Sequence, residues 1–283
     1  MAQPIVMPEV RGVIDSHAHI DFDHYLDDRD DMIKRMTDAG VSDVICIGTR
    51  LTHQSGPRKM AEYADSIWFT AGVHPNHAHD QDDYDNIDAY RAAVDHPRCV
   101  GIGEAGLDYF YTKSDPERQM TSFKLQLQVA RETGLPIVIH SRDADQDMAE
   151  TIENEAAKGA LKGVMHCFSS GAQLAERALK IGFHISFSGI LTFKNTQSLR
   201  DIAKDVPDDR LLVETDAPYL SPEPVRNIKR NEPAHVVHTL ACLAEIKGKS
   251  VQEMADITAA NTRRLFHKMG ANDMRANKTE VSV

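Results

Sequence analysis

The sequence predicts an α/β fold and, within that class, a (β/α)8 TIM barrel. Two observations support this prediction: eight short apolar runs rich in β-branched residues follow one another along the chain, and segments of helical period lie between them. Near-continuous apolar strands are typical of a parallel sheet that is covered by helices on both faces. Eight strands that alternate with helices favour the closed barrel. A doubly wound open sheet is the alternative, because the number of strands alone does not exclude it.

The predicted strands share their apolar, β-branched composition and are Gly12–Ser16, Asp43–Gly48, Ile67–Val73, Cys99–Gly103, Pro136–Ile139, Gly163–His166, Phe183–Phe187 and Leu211–Glu214. The predicted helices carry apolar residues at helical spacing and are Asp28–Ala39, Pro116–Thr133, Gly171–Ile181, Gln197–Val206, Ala234–Lys247 and Val251–Lys268. No repeat or linker divides the alternation, so we predict a single TIM-barrel domain over residues 12–268. Residues 1–11 are then an N-terminal extension, and the polar residues 269–283 are a C-terminal tail.

The composition indicates a globular protein rather than a membrane protein. Hydrophobic residues make up 41% of the 283 residues, which is enough for the core of a barrel. No apolar segment approaches the ~18 residues of a membrane span, and the first residues lack the pattern of a signal peptide. Four cysteines without paired spacing predict reduced thiols. We therefore expect a cytoplasmic protein that does not contact a membrane, and we favour a monomer.

The charge of the chain limits how it can meet nucleic acid. A formal net charge of −11 disfavours a broad basic groove. It does not exclude a nucleic-acid substrate, because bound divalent cations reverse the sign of the field locally.

Two histidines follow the first predicted strand. His17 and His19 are separated by one residue, and side chains at i and i+2 of an extended strand point to the same side. Histidine is the commonest metal ligand in proteins. The pair therefore predicts a metal site just beyond the end of this strand.

Later strands end in further residues that bind metals. The active site of a parallel barrel lies at the carboxyl ends of its strands. The residues there, after strands four, five, six and eight, are Glu104, His140, His166 and Asp216. Four histidines and two carboxylates exceed the needs of one tetrahedral ion. We predict two divalent ions, one on His17, His19 and Asp216 and one on His140 and His166, with Glu104 between them. The ligand types leave Mg²⁺, Mn²⁺ and Zn²⁺ open.

A second group of residues faces the same predicted site. His74 follows strand three and Arg142 follows His140, and both are candidate contacts to a substrate phosphate. Asp108 is a candidate for orienting a ligand histidine, and Tyr109 for stacking on a base. The loop Lys229–Glu232 offers basic charge near the site. The alternatives are a loop-ordering hydrogen bond for His74, a salt bridge, which is the default, for Arg142, and loop structure for the others. Glu214 either supports the site or faces the barrel interior.

The ordered motifs resemble those of a known family. They are Asp15–His19, Gly72–Pro75, Gly103–Asp108, Pro136–His140, His166–Ser169, Glu214–Pro218 and Arg230–Pro233. The chain is similar, over residues 12–268, to the TatD family of metal-dependent deoxyribonucleases in the amidohydrolase superfamily of TIM barrels. The resemblance implies that the six predicted ligands bind two divalent ions. It also implies hydrolysis of DNA phosphodiesters, often from the 3′ end of single strands.

The predicted function is a two-metal phosphodiesterase, and the resemblance implies DNA as its substrate. A metal-activated water would attack phosphorus, with Asp216 as general base and Glu104 holding the two ions. The alternative is an enzyme that uses the same ions to cleave an ester or amide bond, such as an aminoacyl-tRNA deacylase. A third hypothesis is a metal-dependent scaffold without catalysis, against which the intact ligand set argues.

Overall fold

Eight parallel strands form one sheet whose order follows the chain. The computed structural model describes residues 7–79, 85–111 and 113–270. The strands are β1 (Val13–Ala18), β2 (Val41–Cys46), β3 (Ile67–Ala71), β4 (Cys99–Asp108), β5 (Ile137–Arg142), β6 (Gly163–Met165), β7 (His184–Phe187) and β8 (Leu211–Val213). Each strand pairs in parallel with the next one along the chain.

The sheet closes where β8 returns to β1. Ala18 and Ala217 form a parallel bridge, and the amide of His19 donates to the carbonyl of Ala217 at 2.7 Å. The amide of Asp216 donates to the carbonyl of His17 at 3.0 Å. Sequential strand order with joined ends confirms the predicted TIM barrel and excludes the doubly wound open sheet.

Helices connect the strands and cover the outside of the barrel. Those of the described residues are α1 (Arg29–Asp38), α2 (Ser55–Tyr63), α3 (Ile87–Ala93), α4 (Pro116–Thr133), α5 (Asp145–Ala156), α6 (Ala172–Lys180), α7 (Gln197–Asp205), α8 (Val236–Lys247) and α9 (Val251–Leu265). The sequence defines α4 most clearly, because Asp115 caps its first turn and Gly134 ends it with φ of 70°. Within the described residues, no helix combines the length and apolar character that crossing a membrane requires.

Apolar side chains form two separate layers on the strands. On β2, Val44 and Cys46 belong to the layer beneath the helices, whereas Ile45 and Ile47 point into the barrel. This alternation follows from the two-residue period of a strand. The inner layer is completed by Phe266 and other residues from the end of α9, which close the amino-terminal end of the barrel. The carboxyl-terminal end is left for polar side chains.

One extra residue in β1 and one in β4 redirect side chains into the barrel mouth. Asp15 pairs with Val44 and Ala18 with Cys46, so three steps along β1 match two steps along β2. Such a bulge reverses the alternation of side chains beyond it. Ile14 points inward below the bulge, and His17 and His19 point inward above it. Without the extra residue, both histidines would face the surrounding helices.

The corresponding irregularity in β4 lies beside Glu104. Ile102 pairs with Ile137 and Ala105 with Ile139, again three steps against two. The predicted end of this strand at Gly103 is wrong, because β4 continues to Asp108. Glu104 therefore lies within the strand, and its amide donates a hydrogen bond to the carbonyl of Gly48 at 2.6 Å.

The ends of the chain extend the barrel in different ways. In the predicted N-terminal extension, Val10 is buried and Met7 packs against the outer apolar layer. Residues 1–6 and 271–283, which include most of the predicted tail, lie outside the described residues. The division into extension, domain and tail stays a prediction.

Candidate metal centre

A cavity of about 1040 Å³ opens at the carboxyl-terminal end of the barrel. Its walls include predicted ligands from β1, β4, β5 and β6 and from the segment after β8; those that line it directly are His19, Glu104, His140, His166 and Asp216. His17 lies beneath them and is fully buried. All six residues predicted as ligands are thus brought to one place.

The first group of ligands comes from β1 and from the segment after β8. The Nε2 atoms of His17 and His19 are 3.3 Å apart. Oδ1 of Asp216 lies 3.5 Å from the first of these nitrogens and 3.6 Å from the second. Three donor atoms therefore converge on one point, as the sequence predicts for one ion.

The second group comes from β5 and β6. Nδ1 of His140 lies 3.1 Å from Oε1 of Glu104, and Nε2 of His166 lies 2.7 Å from the same oxygen. The other oxygen of Glu104, Oε2, faces the first group, at 3.5 Å from His17 and 3.7 Å from His19. Glu104 thus presents one oxygen to each pair of histidines.

Hydrogen bonds on the far side of the rings determine which nitrogen faces the centre. Nε2 of His140 bonds Oδ2 of Asp108 at 3.1 Å, and Nδ1 of His166 bonds Oε1 of Glu214 at 3.1 Å. Nδ1 of His19 lies 3.3 Å from the carbonyl oxygen of Ile47. An acceptor at one ring nitrogen holds the proton there and leaves the lone pair of the other for a metal. Asp108 thus contacts a histidine predicted as a ligand, as does Glu214.

Burial and charge oppose each other in this cluster. Burial would raise the pKa of Glu104, but His166 and His74 hold that pKa well below its usual range. Burial would lower the pKa of His166, but Glu104 and Glu214 raise it well above its usual range. Burial likewise works against ionisation of Asp216, and the neighbouring histidines reverse the effect and lower its pKa. These shifts favour ionised carboxylates at Glu104 and Asp216 and positive charge on the neighbouring His166.

Asp15 fixes the backbone beneath the ligands. It is fully buried and accepts hydrogen bonds from the amide of His17 at 3.2 Å and from the amide and hydroxyl of Thr215 at 3.0 and 2.6 Å. Burial outweighs these bonds and raises the pKa of Asp15 to about 8. The contacts hold the end of β1 against the segment that carries Asp216.

His74 lies at the edge of the centre. Its Nε2 is 3.5 Å from Oε1 of Glu104, and its Nδ1 accepts from the amide of Asn76 at 3.0 Å. Burial lowers the pKa of His74 to about 3. Its Nε2 faces the centre, where His74 forms one set of close donor atoms with Glu104 and His140.

Arg142 lines the cavity near the ligands but outside them. Its guanidinium lies over the ring of Phe110, 3.9 Å from the centroid, and 4.8 Å from that of Tyr111. Tyr109, suggested for base stacking, does not line the cavity, because its hydroxyl donates to Asp147 at 2.7 Å. Tyr111 occupies the wall instead.

The loop after β8 does not supply the expected positive charge. Arg230 makes two bonds of 2.7 Å to the carboxylate of Asp28, and Glu232 pairs with Arg35. Asn231 is fully buried. Opposite charges therefore neutralise much of this segment, and the expectation of a basic loop at the mouth is wrong for Arg230.

Two aromatic residues at the mouth are not among the residues that the sequence predicted for the site. Phe22 stacks on the ring of His19 with centroids 5.0 Å apart, and Tyr219 lies across the same ring at 6.4 Å. Each follows a predicted ligand by three residues, Phe22 after His19 and Tyr219 after Asp216. An aromatic residue just beyond a ligand at a strand end is the signal that would have found them.

The donor set fits divalent metal ions. Imidazole nitrogens and carboxylate oxygens are ligands for Zn²⁺ and Mn²⁺, and the rings are already oriented by outer hydrogen bonds. Three sets of donor atoms lie within 4.8 Å of one another: His17 with His19 and Asp216, His17 with Glu104 and His166, and His74 with Glu104 and His140. Two of these sets share Glu104, which suits a pair of ions.

Known proteins with similar sequences carry matching descriptions. The metal-dependent hydrolase YcfH of Escherichia coli, itself described as uncharacterized, is 40% identical over 258 residues, which cover 90% of this chain and 96% of that protein. The 3′-5′ ssDNA/RNA exonuclease TatD of Citrobacter koseri is 35% identical over 259 residues, covering 90% and 98%. The crystal structure of YJJV, a TatD homologue from Escherichia coli, superposes with a TM-score of 0.84 at 28% identity, covering 90% and 98%.

The barrel, its ligand cluster and these relatives define the class as a metal-dependent hydrolase. The model of the family described as TatD related DNase matches residues 14–267, nearly the whole described barrel. The chain belongs to this family.

Proposed function

We propose that this protein is a two-metal phosphodiesterase that hydrolyses single-stranded DNA from its 3′ end. The observation that carries the proposal is the position of Glu104, whose Oε1 faces His140 and His166 while Oε2 faces His17 and His19. One carboxylate with an oxygen toward each ligand group suits two neighbouring ions. Two such ions are the arrangement used for hydrolysis of phosphate esters.

The six ligands would hold the ions in two sets. His17, His19 and Asp216 would hold the first, His140 and His166 the second, and Glu104 would contact both. Bound divalent ions lower the pKa of a coordinated water and stabilise negative charge on phosphoryl oxygens. They also place positive charge in the mouth of an otherwise acidic protein, which favours an anionic substrate.

Asp216 is the proposed general base. Its side chain is 15% exposed, compared with 3% for Glu104, so it can reach a water molecule in the cavity. Its lowered pKa keeps the carboxylate ionised and able to accept a proton. His74, through its Nε2–H, and Arg142, through its guanidinium, both line the cavity and are the proposed contacts to the phosphate.

The nucleic-acid substrate is inferred from relatives and from the cavity. Exonuclease activity on single-stranded DNA and RNA is named for the Citrobacter relative, at 35% identity. The cavity of about 1040 Å³ is open to solvent on one side and has room for a nucleotide and its neighbour. Aromatic residues on its rim suit unstacked bases.

The test is hydrolysis of a 3′-labelled single-stranded DNA oligomer by metal-stripped protein resupplied with Mg²⁺, Mn²⁺ or Zn²⁺. We expect metal-dependent release of mononucleotides. Asp216→Asn should reduce the turnover by roughly 10²- to 10⁴-fold, the usual contribution of a general base. Asp143→Asn is the matched control, because Asp143 lines the same cavity without lying in either ligand group and should leave turnover near that of the wild type.

A lack of hydrolysis with every metal, in protein that binds metal ions, would overturn the nuclease proposal. The same preparations would then be assayed on aminoacyl-tRNA, because the centre also suits attack on the carbon of an ester or amide. Normal turnover in Asp216→Asn would instead remove the proposed role of Asp216 as the base.

A further inference from the structure

We propose that Phe110, Tyr111 and Arg142 form a base-stacking site that gives this protein its preference for single-stranded nucleic acid. These three residues are called the aromatic platform below. The inference rests on the proposed function, because it assigns a subsite for the nucleobase beside the phosphate that is cleaved. It concerns binding of the base and is separable from hydrolysis.

The two rings are unusually exposed for their type. Phe110 retains 53% and Tyr111 50% of their accessible surface, whereas aromatic residues such as Phe69, Phe123 and Tyr90 are buried in the core. The rings of Phe110 and Tyr111 lie edge to face, with centroids 5.0 Å apart. Adjacent exposed aromatic rings beside a cavity mark a binding surface, since burial of their apolar faces stabilises whatever covers them.

Arg142 joins the two rings into one surface. Its guanidinium lies 3.9 Å from the centroid of Phe110 and 4.8 Å from that of Tyr111. In the described part of the chain, this guanidinium is not in an ion pair. A planar cation that stacks on rings while keeping donors free to contact phosphate is suited to a nucleotide.

Asp108 fixes the platform relative to the ligands. Its Oδ1 accepts hydrogen bonds from the backbone amides of Phe110 and Tyr111 at 3.1 and 3.0 Å. Its Oδ2 bonds Nε2 of His140 at 3.1 Å. One buried carboxylate thus connects a proposed metal ligand to the loop that carries the rings. A base on the platform would therefore be held at a fixed distance from the site of cleavage.

The platform explains why single strands are preferred. Tyr111 lines the cavity, and a base must present a free face to stack on it. Both faces of an internal base in a duplex are covered by its neighbours, whereas those of a single strand are accessible. Stacking on aromatic rings is also tolerant of sequence, because every base has a π-face.

The experiment measures binding separately from hydrolysis. Fluorescein-labelled single-stranded oligomers with a phosphorothioate backbone, which resists cleavage, are titrated with the Mg²⁺-loaded protein and followed by anisotropy. A second oligomer has the same backbone but abasic residues at its 3′ end. The variants are Phe110→Ala with Tyr111→Ala, the conservative Tyr111→Phe, and Tyr63→Ala as control. Tyr63 is 53% exposed, ends α2, donates its hydroxyl to Asp30 and does not line the cavity.

We expect the double variant to raise the Kd for the normal oligomer about tenfold or more, because stacking of a base on an aromatic ring contributes that much to affinity. Its Kd for the abasic oligomer should match that of the wild type. Tyr111→Phe and Tyr63→Ala should bind both oligomers as the wild type does.

Equal loss on both oligomers, or no loss, would overturn the platform. Base-dependent binding in a protein that hydrolyses no DNA would leave the platform standing and contradict the proposed function. Hydrolysis of DNA without base-dependent binding would support the proposed function and contradict the platform.

Discussion

The two ends of the barrel interior are built by the same strands and differ completely in chemistry. β1 contributes Ile14 to the amino-terminal end and His17 to the mouth, and β5 contributes Val138 and His140 in the same way. The lower end is apolar and closed by Phe266. The upper end buries charged groups around a cavity. Stability and chemistry are therefore separated along the strand direction, a few residues apart.

Two buried histidines, His166 at the mouth and His184 at the lower end, have pKa values that are shifted in opposite directions. At the mouth, burial would lower the pKa of His166, but Glu104 and Glu214 raise it. At the lower end, burial lowers the pKa of His184 to about 4, and Arg210 and other nearby basic groups add to this effect. The same side chain is thus prepared to be charged or metal-bound in one place and neutral in the other. Variants at each end should affect different properties.

The largest effect is expected from Glu104→Gln at the mouth. Loss of one carboxylate from both ligand groups should reduce hydrolysis about 10³-fold or more, because metal-ion charge stabilisation contributes several kcal/mol. The amide has nearly the same volume, so Tm should change little. Metal content and turnover are measured on the same preparation. Glu155→Gln, which affects a buried carboxylate paired with Arg131 away from the mouth, should instead leave turnover unchanged.

Phe266→Ala should affect the lower end alone. The fully buried ring closes the inner apolar layer, and its removal should lower the free energy of unfolding by about 3–5 kcal/mol. Urea denaturation measures this change, and metal binding per folded molecule should stay that of the wild type. Loss of metal affinity in folded Phe266→Ala protein would contradict the separation of the two ends.

Glu214→Gln tests the outer contacts of the mouth. Glu214 is fully buried and bonds Nδ1 of His166 at 3.1 Å. Removing its charge should weaken metal affinity or turnover by about 10- to 100-fold, as for other groups that orient a ligand. Metal titration by calorimetry checks the affinity. An unchanged affinity would show that the orientation of His166 does not depend on Glu214.

The smallest effect is the pH dependence contributed by His184. A histidine whose pKa is lowered by folding stabilises the native state fully above its unfolded pKa of about 6.5, and this contribution falls as the pH drops toward 4. Between pH 7 and 5 the loss should be about 2 kcal/mol. His184→Gln should lose less stability than the wild type over this range, as measured by urea denaturation. If the unfolding free energy fell equally with pH in the two proteins, this contribution would be ruled out.

The sequence was sufficient to predict the barrel and to predict that six polar residues from distant parts of the chain meet at its mouth. Apolar runs mark parallel strands because both faces of each strand are buried, and the first polar residues after them mark the mouth. His140 and His166 follow their strands in this simple way. Family membership rests on motifs in the same order.

The bulges could not be predicted from alternation. His17 and Ile14 are three residues apart, so a regular strand would place them on opposite sides, and only the extra residue in β1 brings both inside. The contacts made by the loops could not be predicted from local sequence patterns either. Arg230 contributes little free charge because it pairs with Asp28, 202 residues away in sequence, and Tyr111 replaces Tyr109 at the cavity because of how Asp108 turns the chain.

The most direct test of the central claim is the number and position of metal ions in crystals of the protein loaded with Mn²⁺. Anomalous scattering locates Mn²⁺ without reference to the protein model. We predict two peaks about 3.5–4 Å apart, one on each side of the Glu104 carboxylate. One would lie near His17, His19 and Asp216, and the other near His140 and His166. A single peak, or two peaks that do not share Glu104, would contradict the account.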